Sequence, residues 1–311
     1  PVPDSGTLST PYVFEITGLL KGNNKITLVS DNSYPGLPHD DIVYSSAATD
    51  ETQTNWNGII GRIRLTVYDH VRFGQVQTFY QHMDGYYQVS FRYRLYDTEN
   101  KFEGKCKITP VMIRRLTEDG KPEEKEIEEQ TQSFDITVRT GENVYENVYT
   151  FAHEPQLWSE YTPVVYRFRM EIEGWTACEV ETGLREFETR DHYFYINGNR
   201  TMLRGKHDAL LFPIEGAVPA SVEEWLKIMK IAKEYGVNHY RFHTCCPPDA
   251  AFEAADLLGI YMEPELPFWG TVPEESGEDK QEGSQWEYLL SEGLRMLETF
   301  GNHPSFCMMS M

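Results

Sequence analysis

Gly301-Asn302-His303-Pro304-Ser305-Phe306-Cys307-Met308-Met309-Ser310-Met311 reads as a helix end, a turn and a short apolar strand. A turn followed by an apolar run is how one βα unit passes to the next parallel strand. Working back from it, Trp286, Leu289, Leu290, Leu294 and Leu297 recur at helical spacing and stop before Gly301, which predicts a helix. A second predicted helix runs from near Pro248 through Phe252, Ala255 and Leu258 to Gly259. A third opens on Ser221 with Glu224 three residues on, carries Val222, Trp225, Leu226, Met229 and Ala232 on one face, and stops at Gly236. Strands are predicted at about 202–208, 238–244, 260–266 and 305–311. Strands alternating with helices in this way amount to half of a (β/α)8 barrel, which takes about 250 residues. An open doubly wound sheet would want a glycine-rich phosphate loop after its first strand, and Leu203-Arg204-Gly205-Lys206-His207-Asp208 has no such spacing. The expectation is a half-barrel with an open edge and an uncovered interior.

Up to about residue 189 the texture is different. Tyr12–Ile16, Lys25–Val29, Arg62–Tyr68 and Tyr87–Leu95 are short, aromatic or β-branched and partly alternating, with turn residues between them, as in a β-sandwich. A domain boundary is therefore expected near residue 190. At 311 residues, with 40% hydrophobic and 25% charged residues, the chain is long enough for two or three domains. No run of about 18 apolar residues predicts a membrane helix. The net charge of -21 argues against a nucleic-acid partner, because phosphate binding needs clustered Lys and Arg. Pro1 begins the sequence with neither an initiator Met nor an apolar signal segment, so localisation, periplasmic or secreted against cytoplasmic, is left open.

Cys106, Cys178, Cys245, Cys246 and Cys307 are odd in number and lack CxxC spacing, which argues against a disulfide framework and structural zinc. Cys245 and Cys246 lie close to His243, but nothing nearby in sequence supplies the rest of a thiol triad, and packing is the expected role. Asn199-Arg200-Thr201 matches a glycosylation sequon by pattern only.

Several segments, taken in order, resemble glycoside hydrolase family 2. The closing stretch is similar to a family signature in which His-Pro-Ser is followed, after a short apolar run, by Gly-Asn-Glu. Pro11–Thr17 with Leu19–Asn24 resembles late strands of the family's sugar-binding jelly roll, and Trp56–Leu65 resembles that domain's closing segment. Leu157-Trp158-Ser159, Pro163 to Tyr166 and Gly183-Leu184-Arg185 resemble marks of its immunoglobulin-like domain, and Ile196–Asn199 with Leu203-Arg204-Gly205 resembles the passage into its barrel. The resemblance implies a partial jelly roll over 1–71, an immunoglobulin-like β-sandwich over 72–189 and the first half of a TIM barrel over 190–311. It also implies truncation at both ends, with the family's acid/base Glu falling just after Met311 and its nucleophile on a later strand. No catalytic carboxylate is then expected within this chain.

Candidate site residues follow from alternation, since barrel chemistry sits at the C-terminal ends of the strands. Arg241 and His243 should face the barrel axis while Tyr240 and Phe242 face the helices. Arg241 falls where the resembled family places an Arg that holds its nucleophilic carboxylate; the alternative is an Arg paired within the barrel and touching no sugar. The family has Ser or Thr, then His, after this Arg, so His243 comes one place early and is either a substrate contact or a hydrogen-bonded core histidine. On the first strand His207 takes the position of the family's Asn and Asp208 follows it, and both could bond sugar hydroxyls. Glu263 and Glu265 share a face. A two-carboxylate pair is rejected as the main reading, and Glu265 is expected to position or to form an internal ion pair. Trp269 is either a sugar-stacking wall or a packed side chain. The acidic stretch Pro273–Glu282 is expected to be a solvated loop.

The implied parent is a retaining glycosidase acting on β-linked sugars, with carbohydrate as partner, no nucleic acid, no membrane and no cofactor. This chain itself is expected to be inactive, missing its second half-barrel, with a homo-oligomer left open. The alternative is a non-catalytic carbohydrate-binding or scaffold protein with a degenerate barrel.

Overall fold

The computed structural model describes residues 6–48, 58–99, 101–272 and 285–311. It is mostly β-sheet with few helices. Strands β1 (Val71–Met83), β2 (Tyr86–Asp97), β3 (Phe102–Leu116), β4 (Pro122–Glu126), β5 (Gln132–Val138), β6 (Gly141–Thr150), β7 (Val165–Ile172) and β8 (Thr176–Thr182) come first. They form two antiparallel sheets, β1-β2-β6 and β4-β3-β7-β8, with β5 pairing the first half of β3. Alternation decides which residues go inside: Val89, Phe91, Tyr93 and Leu95 of β2 are buried against Cys106, Ile108, Phe168, Met170 and Ile172 of the other sheet. The Phe91 and Phe168 rings meet edge to face at 5.0 Å.

A small antiparallel sheet of β9 (Phe187–Arg190), β10 (Tyr193–Ile196) and β11 (Asn199–Thr201) then leads into parallel strands β12 (Gly205–Asp208), β13 (His239–Phe242) and β14 (Tyr261–Pro264). The connecting helices are α2 (Val222–Glu234), α3 (Asp249–Leu258) and α4 (Gln285–Phe300), preceded in the chain by the short α1 (His39–Val43). All three predicted helices form where their caps place them. The Ser221 hydroxyl accepts from Glu224 N at 3.3 Å and donates to its carboxylate at 2.7 Å. Gly259 closes α3 in the left-handed conformation, φ 69, against the Glu160 backbone, where a Cβ would not fit. Tyr240, Phe242 and Met262 turn toward the helices and share a core with Trp225, Met229, Phe252 and Phe306.

The closing stretch joins the sheet by two isolated parallel bridges, Met262 to Phe306 and Glu265 to Ser310, rather than by a full ladder. Its turn is instead clamped by side chains. Asn302 accepts from Thr78 N at 2.8 Å and donates to Val76 O at 2.7 Å, beside the irregularity in β1. His303 bridges Asp256 at 2.6 Å and Asp249 at 3.2 Å on α3. Arg185 donates to the carbonyls of Pro304 and Phe306, each at 2.6 Å, and Gly183 leaves room for the Pro304 ring. These contacts tie the sandwich to the parallel-sheet unit.

Three predicted strands need correction. Tyr12–Ile16, Lys25–Val29 and Arg62–Tyr68 form no strand; the ordered elements of 6–48 are a 3-10 turn at Thr17–Leu19 and α1. Val13, Val29 and Val67 are 88%, 86% and 90% exposed. β-Propensity expresses itself only where neighbouring strands cover a face, and these segments have no such neighbours among the described residues. Trp56 and Asn57 of the resembled closing segment, and the acidic stretch from Pro273, lie outside the described residues.

Candidate active site

Parallel register sets the site. His207 on β12, Arg241 on β13 and Glu263 on β14 are direct partners, so they lie in one row on the face away from the helices. One step earlier lie Gly205, His239 and Tyr261. Gly205 is needed there because a Cβ would meet His239 Nδ1 at 2.7 Å. His239 Nε2 sits 3.0 Å from Glu263, yet burial outweighs that charge and lowers the imidazole pKa, so the pair fills the floor without a strong ion pair.

At the C-terminal ends of the strands the arrangement becomes polar and open. Glu265 is 1% exposed and has both oxygens engaged: Arg241 Nη2 and the Ser310 hydroxyl (3.0 Å) on one, Thr244 N (2.7 Å) on the other. Arg241 is the outward half of this pair, its side chain 44% exposed. His243 follows in the turn, its ring 4.9 Å from that of exposed His207 and 5.1 Å from that of Trp269, which is 55% exposed. Two imidazoles, a guanidinium and an open indole thus lie together at the C-terminal ends of the strands, a set suited to hydrogen-bonding hydroxyls and stacking on a pyranose face.

Asp208 does not join them. It lies one residue on from His207, on the helix-facing side of β12, where it accepts from Leu210 N (2.8 Å) and pairs with Lys206 (2.7 Å). Strand alternation, applied between His207 and Asp208, separates the two.

Residues near the start of the chain pack against this set. Tyr34, Ile42 and Ala48 are buried in the same core as Trp225 and Phe242. That anchoring places Asp41 O to accept from Trp269 N at 2.8 Å and the Asp41 carboxylate against Gly270, where no Cβ would fit. Ser46 N donates to Thr244 Oγ1 at 2.7 Å.

No family model matches the chain. A beta-glucuronidase of Formosa agariphila is 25% identical over 177 residues, 55% of this chain and 17% of that protein. A beta-galactosidase of Priestia megaterium is 26% identical over 174 residues, 52% of this chain and 17% of that protein. Among solved structures, a beta-glucuronidase of Bacteroides uniformis superposes with TM-score 0.58 at 22% identity, covering 76% of this chain and 28% of its own. A family 2 beta-galacturonidase of Eisenbergiella tayi, bound to galacturonate, gives TM-score 0.58 at 14% identity, covering 76% of this chain and 39% of its own. The chain is thus similar to curated beta-glucuronidases and beta-galactosidases and, in fold, to solved glycoside hydrolase family 2 proteins. It spans about a sixth of the length of the curated relatives it matches.

Within this chain, Arg241, His243, His207, Glu265 and Trp269 come together, and Asp208 is turned away. Glu265 is ion-paired with Arg241, and Trp269 is 55% exposed. Ser46, Thr244, Ser310 and Asp41 were not legible as site residues, because their proximity is created by packing between separate segments, 198 residues apart for Ser46 and Thr244 and 45 for Ser310 and Glu265. The cysteines stay structural: burial pushes the Cys245 and Cys246 thiols well above their ordinary range, away from the thiolate a nucleophile needs. Among the described residues no three His, Cys, Asp or Glu side chains gather as metal ligands.

Proposed function

We propose that this chain carries the sugar-positioning part of a retaining β-glycosidase site. In this reading residues 1–71 are part of a jelly-roll domain, 72–189 an immunoglobulin-like sandwich and 190–311 the first half of a (β/α)8 barrel. The observation that carries it is the Arg241–Glu265 clamp at the C-terminal ends of parallel strands, opening onto His207, His243 and Trp269.

The chemistry such a site performs needs two carboxyl groups, one protonating the leaving oxygen and one forming a glycosyl-enzyme intermediate. The carboxylates near these side chains are committed elsewhere. Glu265 has both oxygens taken by donors, Glu263 lies against His239, and the Asp41 carboxylate packs on Gly270 and accepts from Gln285 Nε2 at 3.4 Å. In this reading the reacting carboxylates of the parent are not among the described residues of this chain, and the role left to these residues is to orient the sugar. Arg241 would hold a partner carboxylate or a sugar oxygen with its outward donors, His207 and His243 would bond hydroxyls, and Trp269 would cover the apolar C–H face. The substrate class is a β-linked glycoside.

The test is hydrolysis of aryl β-glucuronides, β-galactosides and β-galacturonides by the purified 311-residue chain and by the same chain extended along its natural reading frame. The expected result is no turnover by the former and turnover with retained anomeric configuration by the latter. Turnover by the 311-residue chain, or an extended chain that inverts or does not hydrolyse any of these glycosides, overturns the reading. Sugar binding without turnover by the extended chain favours the scaffold alternative.

A further inference from the structure

Thr244 stands out as strained. It is 3% exposed, β-branched, and has φ 48, a left-handed conformation that costs a β-branched residue on the order of 1–3 kcal/mol. Such a conformation persists only where the surroundings over-determine it, and two clamps do so here. Glu265 Oε2 takes the Thr244 N–H at 2.7 Å, with Glu265 itself fixed by Arg241 and Ser310. From the other side, Ser46 N donates to Thr244 Oγ1 at 2.7 Å. The outcome of the strained turn is the placement of His243, whose ring points at Trp269 and His207.

The hydroxyl of Thr244 completes the argument. One of its lone pairs is used by Ser46 N–H, and its own proton needs an acceptor in a buried setting. The group it meets among the described residues is His243 Nδ1 at 3.3 Å, with the Ser46 hydroxyl 3.4 Å from the same nitrogen. We propose that Thr244, held in its left-handed turn by Glu265 and Ser46, is a positioning residue that fixes the His243 tautomer, with Nδ1 as acceptor and the proton on Nε2. His243 is then a hydrogen-bond donor toward a sugar oxygen, which rests on the glycosidase reading above; the tautomer itself does not. The N-terminal segment thereby sets the chemistry of a side chain almost 200 residues away.

The experiment is a long-range 1H–15N spectrum of the full chain labelled with 15N-histidine, at a pH where His243 is neutral, with His243→Gln used for assignment. The expected spectrum shows one tautomer, protonated on Nε2. Thr244→Val keeps the β-branch and removes the hydroxyl, and should replace that signature by averaged tautomers, while Thr244→Ser restores it. Thr244→Gly accommodates the left-handed turn but also lacks the hydroxyl, and should likewise lose the single-tautomer signature. A wild-type ring protonated on Nδ1, or a signature that survives Thr244→Val, overturns the proposal. Because the readout needs no sugar, its failure is separable from failure of the glycosidase reading.

Discussion

Replacing Arg241 by Met tests the pair on which the site is built. Glu265 is buried to 1% exposure, and the substitution leaves its carboxylate with Thr244 N and the Ser310 hydroxyl but without a countercharge. Breaking a fully buried pair costs about 3–5 kcal/mol. Arg241 is 44% exposed, so water reaches its half of the pair and the two retained hydrogen bonds soften the loss. The expected destabilisation is about 2–3 kcal/mol. The assay is chemical unfolding followed by far-UV circular dichroism for wild type, Arg241→Met, Glu265→Gln and the double variant. Once Glu265 is neutral, losing Arg241 should cost much less, giving a coupling of about 1–2 kcal/mol. Additive single effects, with coupling below about 0.5 kcal/mol, would refute the claim that the guanidinium compensates a buried charge.

Burial by itself would lower the His303 pKa, but the Asp256 charge and the hydrogen bonds to Asp249 and Asp256 outweigh it and push it up to about 10. Protonated His303 thus stabilises the fold fully below about pH 6.5, and that contribution is lost as pH rises toward 10. Thermal melts across this window should fall for wild type and fall less for His303→Gln. Asn302→Ala removes the link from the turn to β1 and should cost about 1–3 kcal/mol, read as earlier protease cleavage near residue 301. Gly259→Ala combines a left-handed φ with a backbone clash at Glu160 and should lower the unfolding midpoint by more than about 1 kcal/mol; an unchanged midpoint would contradict the packing of α3 on the sandwich.

Local rules acted where the sequence was most legible. The Ser221–Glu224 box, the Gly236 and Gly259 stops and the apolar stripes of the three helices are properties of neighbouring residues, and each helix formed where they placed it. Alternation along 239–242 correctly divided Tyr240 and Phe242 from Arg241, because a strand has only two faces. The same rule, applied to His207 and Asp208 together, would have separated them too. The strands of 12–16, 25–29 and 62–68 show the limit from the other side, since strand propensity without a covering neighbour yields extended, exposed chain.

The sequence by itself determined the helices, the parallel order of βα units and the side of the sheet on which Arg241 and His243 lie. Tertiary structure alone decided that Glu265 is the partner of Arg241, that Ser46 and Asp41 stand at a site assembled mainly from residues after 200, and that Asn302, His303 and Arg185 turn the closing motif into a joint between the sandwich and the parallel sheet. The reason is physical: caps and alternation act over a few residues, whereas a buried charge or a strained turn is held by whichever distant groups the packed core brings within hydrogen-bond reach.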